Sequence, residues 1–312
     1  MDAPPAVVHV APARIGATRA SLQLLVTITV WGGTFTVARR AVDGVDPFAL
    51  AAGRYLVGAL VLLALVRATG FRRIGRRDLV LCAVMGASGV IGFNVLTFAG
   101  LELALAGDAA LIMPTVPTAV TIPLAVVLFH ESFGRSQAAG LALLALGEFF
   151  VFRETVFTET LDGDRLLGIG MFFCAAALWG VYTIAARALS GTMDGTHATF
   201  VAVWLALGPL LVIGGVPLGR EVSGGVDGDF VLALAYMGAL QVVVGLIWWF
   251  QGVEGIGAAR AAMINALVPV VALVIAGIVL HEEVSPERAF GAALVVAGVA
   301  VAAGIRRGGA TT

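Results

Sequence analysis

Long apolar stretches alternate with short polar segments along almost the whole chain. Ten of these stretches contain few charges and are close to the length of about 20 residues that lets a helix cross a bilayer core of roughly 30 Å. They cover residues 22–38, 47–66, 79–100, 106–129, 136–152, 166–186, 197–217, 230–251, 258–280 and 287–305. The alternation of apolar and polar residues that is typical of a membrane barrel is absent. The pattern therefore predicts an all-α integral membrane protein with ten transmembrane helices.

Two parts of the chain have related sequences. Residues 98–128 align with residues 250–280 at a constant offset of 152 (250 − 98), and eleven aligned positions are identical, among them Pro117 and Pro269. Chance similarity between apolar helices is the alternative interpretation. Because each half would contain five spans, an odd number, related halves must insert in opposite orientations. The sequence predicts two inverted five-helix repeats.

The repeat and the distribution of basic residues predict the boundaries and the orientation. The predicted parts are a flexible N-terminal tail at 1–21, a first repeat at 22–152, a periplasmic connecting loop at 153–165, a second repeat at 166–305 and a C-terminal tail at 306–312. All 19 basic residues are arginine, and twelve of them fall on the side of the N-terminus against six on the other side. Since basic residues favour the cytoplasmic side, both tails are predicted to be cytoplasmic.

Composition and motifs support a lipid environment and argue against several classes of function. Hydrophobic residues make up 60% of the chain, charged residues 12%, and the mean hydropathy is +1.00. The net charge of −1 indicates no general affinity for nucleic acid. No phosphate-binding loop ending in Gly-Lys-Ser/Thr is present, which argues against ATP-driven pumping. The His-Glu pairs at His130 and His281 lack a second histidine four residues later, so no metal site and no cofactor is predicted.

Several short motifs occur in a fixed order. They are the Trp-Gly segment WGGTFTVARR from Trp31, a Pro-Phe-x-Leu-x-x-x-Arg-Tyr pattern from Pro47 to Tyr55, the block GLELALAGDAALIMPTVPT from Gly100, and a glutamate followed nine residues later by glycine near the end of each half. Together they resemble the EamA-type families of the drug/metabolite transporter superfamily, over about residues 22–305. The resemblance implies ten helices, cytoplasmic termini and a central cavity between the halves. It also implies outward movement of amino acids and related metabolites, by proton exchange or facilitated diffusion.

Polar and aromatic side chains inside the predicted spans are candidates for a substrate site. Trp31 and Thr34 of the first span correspond to Trp179 and Tyr182 of the sixth, and a spacing of three places each pair on one helical face. The predicted substrate-binding residues are Trp31, Thr34, Asn94, Met113, Tyr182, Trp248 and Asn265. Thr97, Gln241 and Trp249 are similar candidates, although Trp249 could equally face lipid. Tryptophan can also anchor a helix at the headgroup level, which is the alternative for Trp31.

Pro117 and Pro269 occupy equivalent places in the two halves. Proline cannot donate a hydrogen bond to the carbonyl four residues earlier, so these helix-flexing residues free the carbonyls of Met113 and Asn265. We expect both carbonyls to face the cavity. Simple bending of packed helices is the alternative.

Arg54 and Glu148 lie well inside predicted spans. Facing lipid at the bilayer centre would cost each of them at least about 2.5 kcal/mol, so both are predicted to face the protein interior, each other or water. Glu148 is a candidate proton or charge site; the alternative is a side chain that reaches water at the outer membrane edge. Arg54 has no counterpart in the second half, where the region of Ala202 to Trp204 is apolar.

These observations predict a secondary transporter, and not an enzyme, that exports amino acids or related small metabolites across a bacterial inner membrane by alternating access. The predicted partners are a small-molecule substrate and the lipid bilayer; proton coupling and the oligomeric state stay open. A sugar-phosphate or nucleotide-sugar exchanger is the alternative among transporters, but it would need several intramembrane cations where Arg54 stands alone. A membrane-embedded lipid-modifying enzyme is the alternative from another class. It would need a convergent set of Asp, His or Arg at one membrane face, and the sequence shows no such set.

Overall fold

The computed structural model describes residues 15–41, 44–156, 160–225, 228–281 and 284–303, and these residues form helices without any strand. In chain order the described elements are α1 (Ala17–Ala41), α2 (Pro47–Thr69), α3 (Arg76–Met85), π1 (Gly86–Gly92), α4 (Phe93–Leu101), α5 (Ala106–Phe129), α6 (Arg135–Val156), α7 (Gly163–Leu189), α8 (Gly195–Gly224), α9 (Gly228–Ala235), π2 (Tyr236–Val244), α10 (Gly245–Ile256), α11 (Ala258–Asn265), α12 (Val268–Val279) and α13 (Pro286–Ala302). The segments π1 and π2 are π-helical.

Within the described residues, eight helical stretches are long and apolar enough to cross a membrane. Three of them combine consecutive elements: Arg76–Leu101, Gly228–Ile256 and Ala258–Val279. Helices α1 and α13 are not among the eight, and α13 has 17 residues, fewer than the roughly 20 of a typical span. The all-helical membrane fold is confirmed, whereas the count of ten spans stays a prediction.

Several helices extend beyond the predicted boundaries. Helix α1 begins at Ala17, inside the predicted tail 1–21. Helix α7 begins at Gly163, inside the predicted loop 153–165, because the carboxylate of Asp162 accepts a hydrogen bond from a backbone N–H of its first turn. The predicted tail 306–312 lies outside the described residues.

The second helices of the two halves show the inversion directly. The ring of His197, at the start of α8, lies 2.9 Å from the carbonyl oxygen of Gly70, just beyond the end of α2. Further along α8, Gly214 packs closely on the backbone of Phe48, near the start of α2. The two equivalent helices therefore run antiparallel, as inverted repeats require.

The last helices of the two halves, α6 and α13, pack against each other through paired glycines. Gly140 faces Gly298, and Gly147 faces Gly291. A Cβ atom on any of these four glycines would lie 2.6 to 2.8 Å from the carbonyl oxygen of its partner. The contact is thus reciprocal and antiparallel, and only glycine permits the two backbones to approach so closely.

Each half has a π-helical segment at the equivalent place in its third span, since Gly86 plus 152 gives Gly238, which lies in π2. Gly86 packs against the carbonyl of Ala202 in α8, and Gly238 packs against the carbonyl of Arg54 in α2. Each π segment therefore contacts the second helix of the opposite half. Such segments interrupt regular helices and are frequent at functional sites.

Helices α5 and α7 run parallel and are joined at both ends by ion pairs. Near their starts, the guanidinium of Arg165 donates two hydrogen bonds, of 2.8 and 2.9 Å, to the carboxylate of Asp108, and both side chains are buried. Beyond the other end of α5, the carboxylate of Glu131 accepts a bond of 3.0 Å from Arg187. We refer to these sides of the molecule as the Asp108 end and the Glu131 end.

The two equivalent prolines have different effects on their helices. Helix α5 is continuous through Pro114, Pro117 and Pro123. In the second half, a turn at Ala266 and Leu267 separates α11 from α12, and Pro269 lies in the first turn of the new helix. Only the second half therefore contains a discontinuous helix at this place.

Candidate functional site

Aromatic rings from both halves meet between the repeats. Trp31 of α1 and Trp179 of α7 lie edge to face with ring centroids 5.3 Å apart. Trp249 of α10 lies 5.4 Å from Trp31 and 5.7 Å from Trp179. Phe93 lies 5.5 Å from Trp179, and Tyr182 stacks on the same ring at 4.7 Å. We call these five side chains, which come from both halves, the ring cluster.

A polar network adjoins the ring cluster. The guanidinium of Arg54 donates hydrogen bonds to the side-chain oxygens of Asn94 in α4 and of Gln241 in π2, the latter at 3.3 Å. The amide of Asn94 also donates to the hydroxyl of Tyr55 at 3.3 Å. The indole N–H of Trp31 donates to the backbone carbonyl of Gln241 at 3.2 Å, which links the two groups of residues. We call Arg54, Asn94 and Gln241 the Arg54 network.

The charge of Arg54 has no carboxylate partner among the described residues. The residue is 8% exposed, both of its side-chain partners are neutral amides, and its Nε atom has no hydrogen-bond partner. The rings of Tyr55 and Phe98 lie 5.4 and 5.9 Å from the guanidinium carbon, within the range of cation–π attraction. Such a group is costly to bury, and an anion would complete its coordination.

Two glycines in the third spans make room for the rings. A Cβ atom on Gly89 of π1 would overlap the ring of Tyr182, and one on Gly245 would overlap the indole nitrogen of Trp31. Gly89 corresponds to Gln241 in the repeat (89 + 152). One half therefore supplies a polar side chain where the other half leaves space for an aromatic one.

The predicted substrate-binding residues fall into two sets. The structure brings Trp31, Asn94 and Tyr182 together with Arg54, through the ring cluster and the Arg54 network. The hydroxyl of Thr34 instead donates to the carbonyl of Val30 on its own helix, at 3.1 Å.

Two further predicted residues lie apart from the ring cluster. Met113 packs with Phe172 in a smaller apolar cluster between α5 and α7. Trp248 is half-buried against the main core, while its neighbour Trp249 is fully buried within the ring cluster. Of the two neighbouring tryptophans, the structure therefore places Trp249, and not Trp248, in the ring cluster.

Asn265 lies at the end of α11, where the helix is interrupted. Its side-chain oxygen is buried without a hydrogen-bond partner. Nearby in the sequence, the carbonyl of Ala262 accepts a hydrogen bond of 3.2 Å from the hydroxyl of Thr118 in α5. Unwound helix segments with free polar groups are a common feature of transporter binding sites.

Glu148 is 1% exposed and therefore does not reach the surface. One carboxylate oxygen accepts a hydrogen bond from the hydroxyl of Thr115 in α5, and the other oxygen has no partner. Neither Arg54 nor another cation is hydrogen-bonded to it in the described part of the chain. Glu148 thus occupies a separate buried polar site between α5 and α6.

Glu131 joins the two halves at the Glu131 end. Its two carboxylate oxygens accept hydrogen bonds from the backbone N–H groups of Ala258 and Ala259, at 3.0 and 3.1 Å, and so cap the start of α11. A Cβ atom on Gly257, which has φ = +91°, would collide with this carboxylate. Glu131 of the first half therefore caps a helix of the second half, while Glu282 lies outside the described residues.

A cleft of about 890 Å³ lies between α1, α9, π2 and α12. Its polar lining residues are Thr36, Asp229 and Tyr236. No predicted site residue lines it, so the cleft and the Arg54 network are separate features. The described residues contain no group of three His, Cys, Asp or Glu side chains arranged to hold a metal ion.

Three side chains of the site were missing from the main sequence prediction: Tyr55, Trp249 and Gln241. Tyr55 belongs to the Arg-Tyr motif, and Gln241 is a polar residue near the middle of an apolar stretch. Those two signals were present in the sequence. The choice between Trp248 and Trp249 required the structure.

The model of the EamA-like transporter family matches residues 18–153 and 166–304, once for each half. The chain belongs to the EamA-like transporter family. The two matches coincide with the two repeats that the antiparallel pairs α2–α8 and α6–α13 define.

Several transporters from other organisms are similar to this chain over most of their length. An uncharacterized transporter, YyaM, of Bacillus subtilis is 29% identical over 284 residues, which cover 88% of this chain and 90% of the relative. A probable terminal-alkyne amino-acid exporter of Streptantibioticus cattleyicolor is 28% identical over 285 residues, covering 90% and 92%. A probable amino-acid metabolite efflux pump of Salmonella typhimurium is 23% identical, covering 88% and 91%.

A solved crystal structure matches this EamA-like chain with a TM-score of 0.76 and 21% identity, covering 93% of this chain and 97% of the other. This similarity shows the fold alone. The relatives and the family indicate a multi-pass membrane transporter that acts on a small molecule.

Proposed function

We propose that this protein exports amino acids or related small metabolites across a bacterial inner membrane by alternating access. The observation that carries the proposal is the meeting of the equivalent residues Trp31 and Trp179 between two inverted halves, next to the buried Arg54 network. Transporters with inverted repeats bind their substrates at such a junction. The names of two relatives, an amino-acid exporter and an amino-acid metabolite efflux pump, agree with this substrate class.

Alternating access requires contacts that form at one end of the site and break at the other. At the Glu131 end, Glu131 caps α11, and Thr118 of α5 donates a hydrogen bond to the carbonyl of Ala262. These contacts hold α5 and α11 together across the boundary between the halves. The orientation expected from the arginine distribution places this end at the cytoplasm. Opening toward the cytoplasm would then break the Glu131 cap, while the buried pair of Asp108 and Arg165 holds α5 against α7 of the second half at the other end.

Transport by the purified full-length protein in liposomes tests the proposal. Labelled neutral, aromatic and cationic amino acids are loaded inside the vesicles, and their release is followed with and without a proton gradient. A nucleotide sugar and a sugar phosphate serve as competing substrates. We expect saturable release of at least one amino acid and none of the phosphorylated compounds. Release of the phosphorylated compounds alone, or of no compound beyond the level of protein-free vesicles, would overturn the proposal.

A further inference from the structure

Arg54 carries a buried positive charge that the described part of the protein does not neutralise. Its two side-chain partners, Asn94 and Gln241, offer only neutral amide oxygens. By contrast, the buried Arg165 forms a paired interaction with the carboxylate of Asp108. A guanidinium that is buried beside neutral groups keeps the capacity to bind a planar anion with two parallel hydrogen bonds.

Arg54, which could bind such an anion, lies at the junction of the two halves. Asn94 belongs to the first half and Gln241 to the second, so any separation of the halves disturbs the coordination of Arg54. The indole of Trp31 bonds to the backbone of Gln241, so an apolar group bound beside Arg54 would contact the ring cluster. The site thus combines one cation with an adjacent aromatic surface.

The site contains a single cation because the second half has Ala202 at the equivalent place, 148 residues after Arg54, which is the offset between Trp31 and Trp179 (179 − 31). Among the described residues, no other basic side chain is hydrogen-bonded to the Arg54 network. One guanidinium matches the single negative charge of a carboxylate better than the greater charge of a phosphate ester.

We infer that Arg54 binds the carboxylate of the transported substrate and selects monocarboxylates that have an apolar or aromatic part for the ring cluster. This inference rests on the proposed transport function. The carboxylate replaces the amide oxygens of Asn94 and Gln241 as the partner of the guanidinium. Arg54 is then a specificity-determining residue. Its replacement should change the preference between substrates with and without a carboxylate, and not only lower the transport rate.

The test compares phenylalanine with phenylalaninamide, which has the same ring and ammonium group but no carboxylate. Both are used as competitors and as transported compounds in liposomes that contain the full-length protein. In the wild type we expect phenylalanine to be preferred by about tenfold or more. Arg54→Gln should remove this preference, and Arg54→Lys should retain part of it. Arg153→Gln serves as the control, because Arg153 pairs with the half-exposed Glu287 away from the ring cluster.

Preference for the carboxylate in the wild type and its loss in Arg54→Gln would support the inference. Equal transport of both compounds by the wild type, or an unchanged preference in Arg54→Gln, would overturn it, and the transport function would stand. If neither compound is transported, or if Arg54→Gln does not fold, tryptophan fluorescence of the wild type decides, since Trp31 adjoins the network. A change in fluorescence on addition of phenylalanine, but not of phenylalaninamide, supports the inference. The absence of any fluorescence change that depends on the carboxylate overturns it.

Discussion

Trp31 and Trp179 occupy equivalent places in the two inverted halves, and their rings meet edge to face at 5.3 Å. Contact between equivalent residues places them close to the axis that relates the halves. A substrate bound there would touch both repeats at once. The ring cluster is therefore positioned to respond when the halves move relative to each other.

Removing the indole of Trp179 should impair transport. We expect Trp179→Phe to lower the transport rate by about tenfold, equivalent to ~1.4 kcal/mol, because the smaller ring cannot contact Trp31, Trp249 and Tyr182 together. Initial rates in liposomes measure the effect. Phe173→Leu on the same helix is the control, since Phe173 is 49% exposed. Equal rates in both variants would exclude the ring cluster from the transport path.

The glycine contact between α6 and α13 should be sensitive to a single methyl group. Gly147→Ala places a Cβ atom against the backbone of Gly291 and should destabilise the protein by about 1–3 kcal/mol. Thermal unfolding in detergent measures this change. Gly170→Ala in α7 is the matched control, because no atom lies within 4 Å of the added Cβ. A lower melting temperature in the control than in Gly147→Ala would contradict the packing described.

The buried pair of Asp108 and Arg165 should matter far more than the half-exposed pair of Arg153 and Glu287. Asp108→Asn removes the buried carboxylate that accepts two hydrogen bonds from Arg165, and we expect a loss of about 3–5 kcal/mol. Glu287→Gln should cost about 0–1 kcal/mol, since water screens the exposed pair. Denaturant unfolding of both variants compares them. Similar losses would show that the Asp108 pair is solvated.

Asp194 lies in the connection before α8. The low pKa of its carboxyl can be tested by measuring the stability of the protein as a function of pH. Burial opposes ionisation of its carboxyl, but hydrogen bonds from the ring and backbone of His197, together with the charges of His197 and Arg72, outweigh this effect and hold the pKa below its ordinary value. A depressed pKa stabilises the folded state above the ordinary carboxyl pKa, and this stability is lost as the pH falls through the folded-state value.

The stability advantage of the wild type over Asp194→Asn should therefore be present at pH 5 and shrink as the pH falls below about 4. Unfolding free energies measured at several values between pH 5 and pH 3 provide the comparison. An advantage that grew over this range would have the wrong sign for this interaction.

Glu148 permits a separate test of proton coupling. If its carboxylate carries the coupled proton, Glu148→Gln should abolish the response of transport to an imposed pH gradient and leave movement down the substrate gradient intact. Fluxes in liposomes with and without the gradient measure this response, and Glu287→Gln at the protein surface is the control. An unchanged response to the gradient in Glu148→Gln would remove the residue from the coupling mechanism.

The architecture was predictable because it follows from repetition. The paired sequences around Gly100 and Gly252 and the odd number of predicted spans per half were enough to predict inversion, and the antiparallel helices agree. The candidates Trp31, Asn94, Tyr182 and Arg54 were predictable as polar or aromatic residues inside apolar stretches.

For the eighth predicted span, the sequence did not show which side chains lie on the helical face toward the site. The π segment Tyr236–Val244 lies before the tryptophans, and its different number of residues per turn rotates every later side chain around the helix axis. A regular helical period therefore does not distinguish Trp248 from Trp249. The link between Arg54 and Gln241 joins residues of opposite halves, and local periodicity contains no information about such contacts.

The reciprocal glycine contact of α6 with α13 uses the same surface patch on both sides, as an isologous interface does. A five-helix chain that inserts in either direction could pair through this patch with a second copy of itself. Once such copies are fused, each can diverge away from the shared seam. Arg54, whose repeat equivalent is Ala202, is an example of such divergence, because a strictly symmetric pair would have carried a second positive charge at the equivalent place.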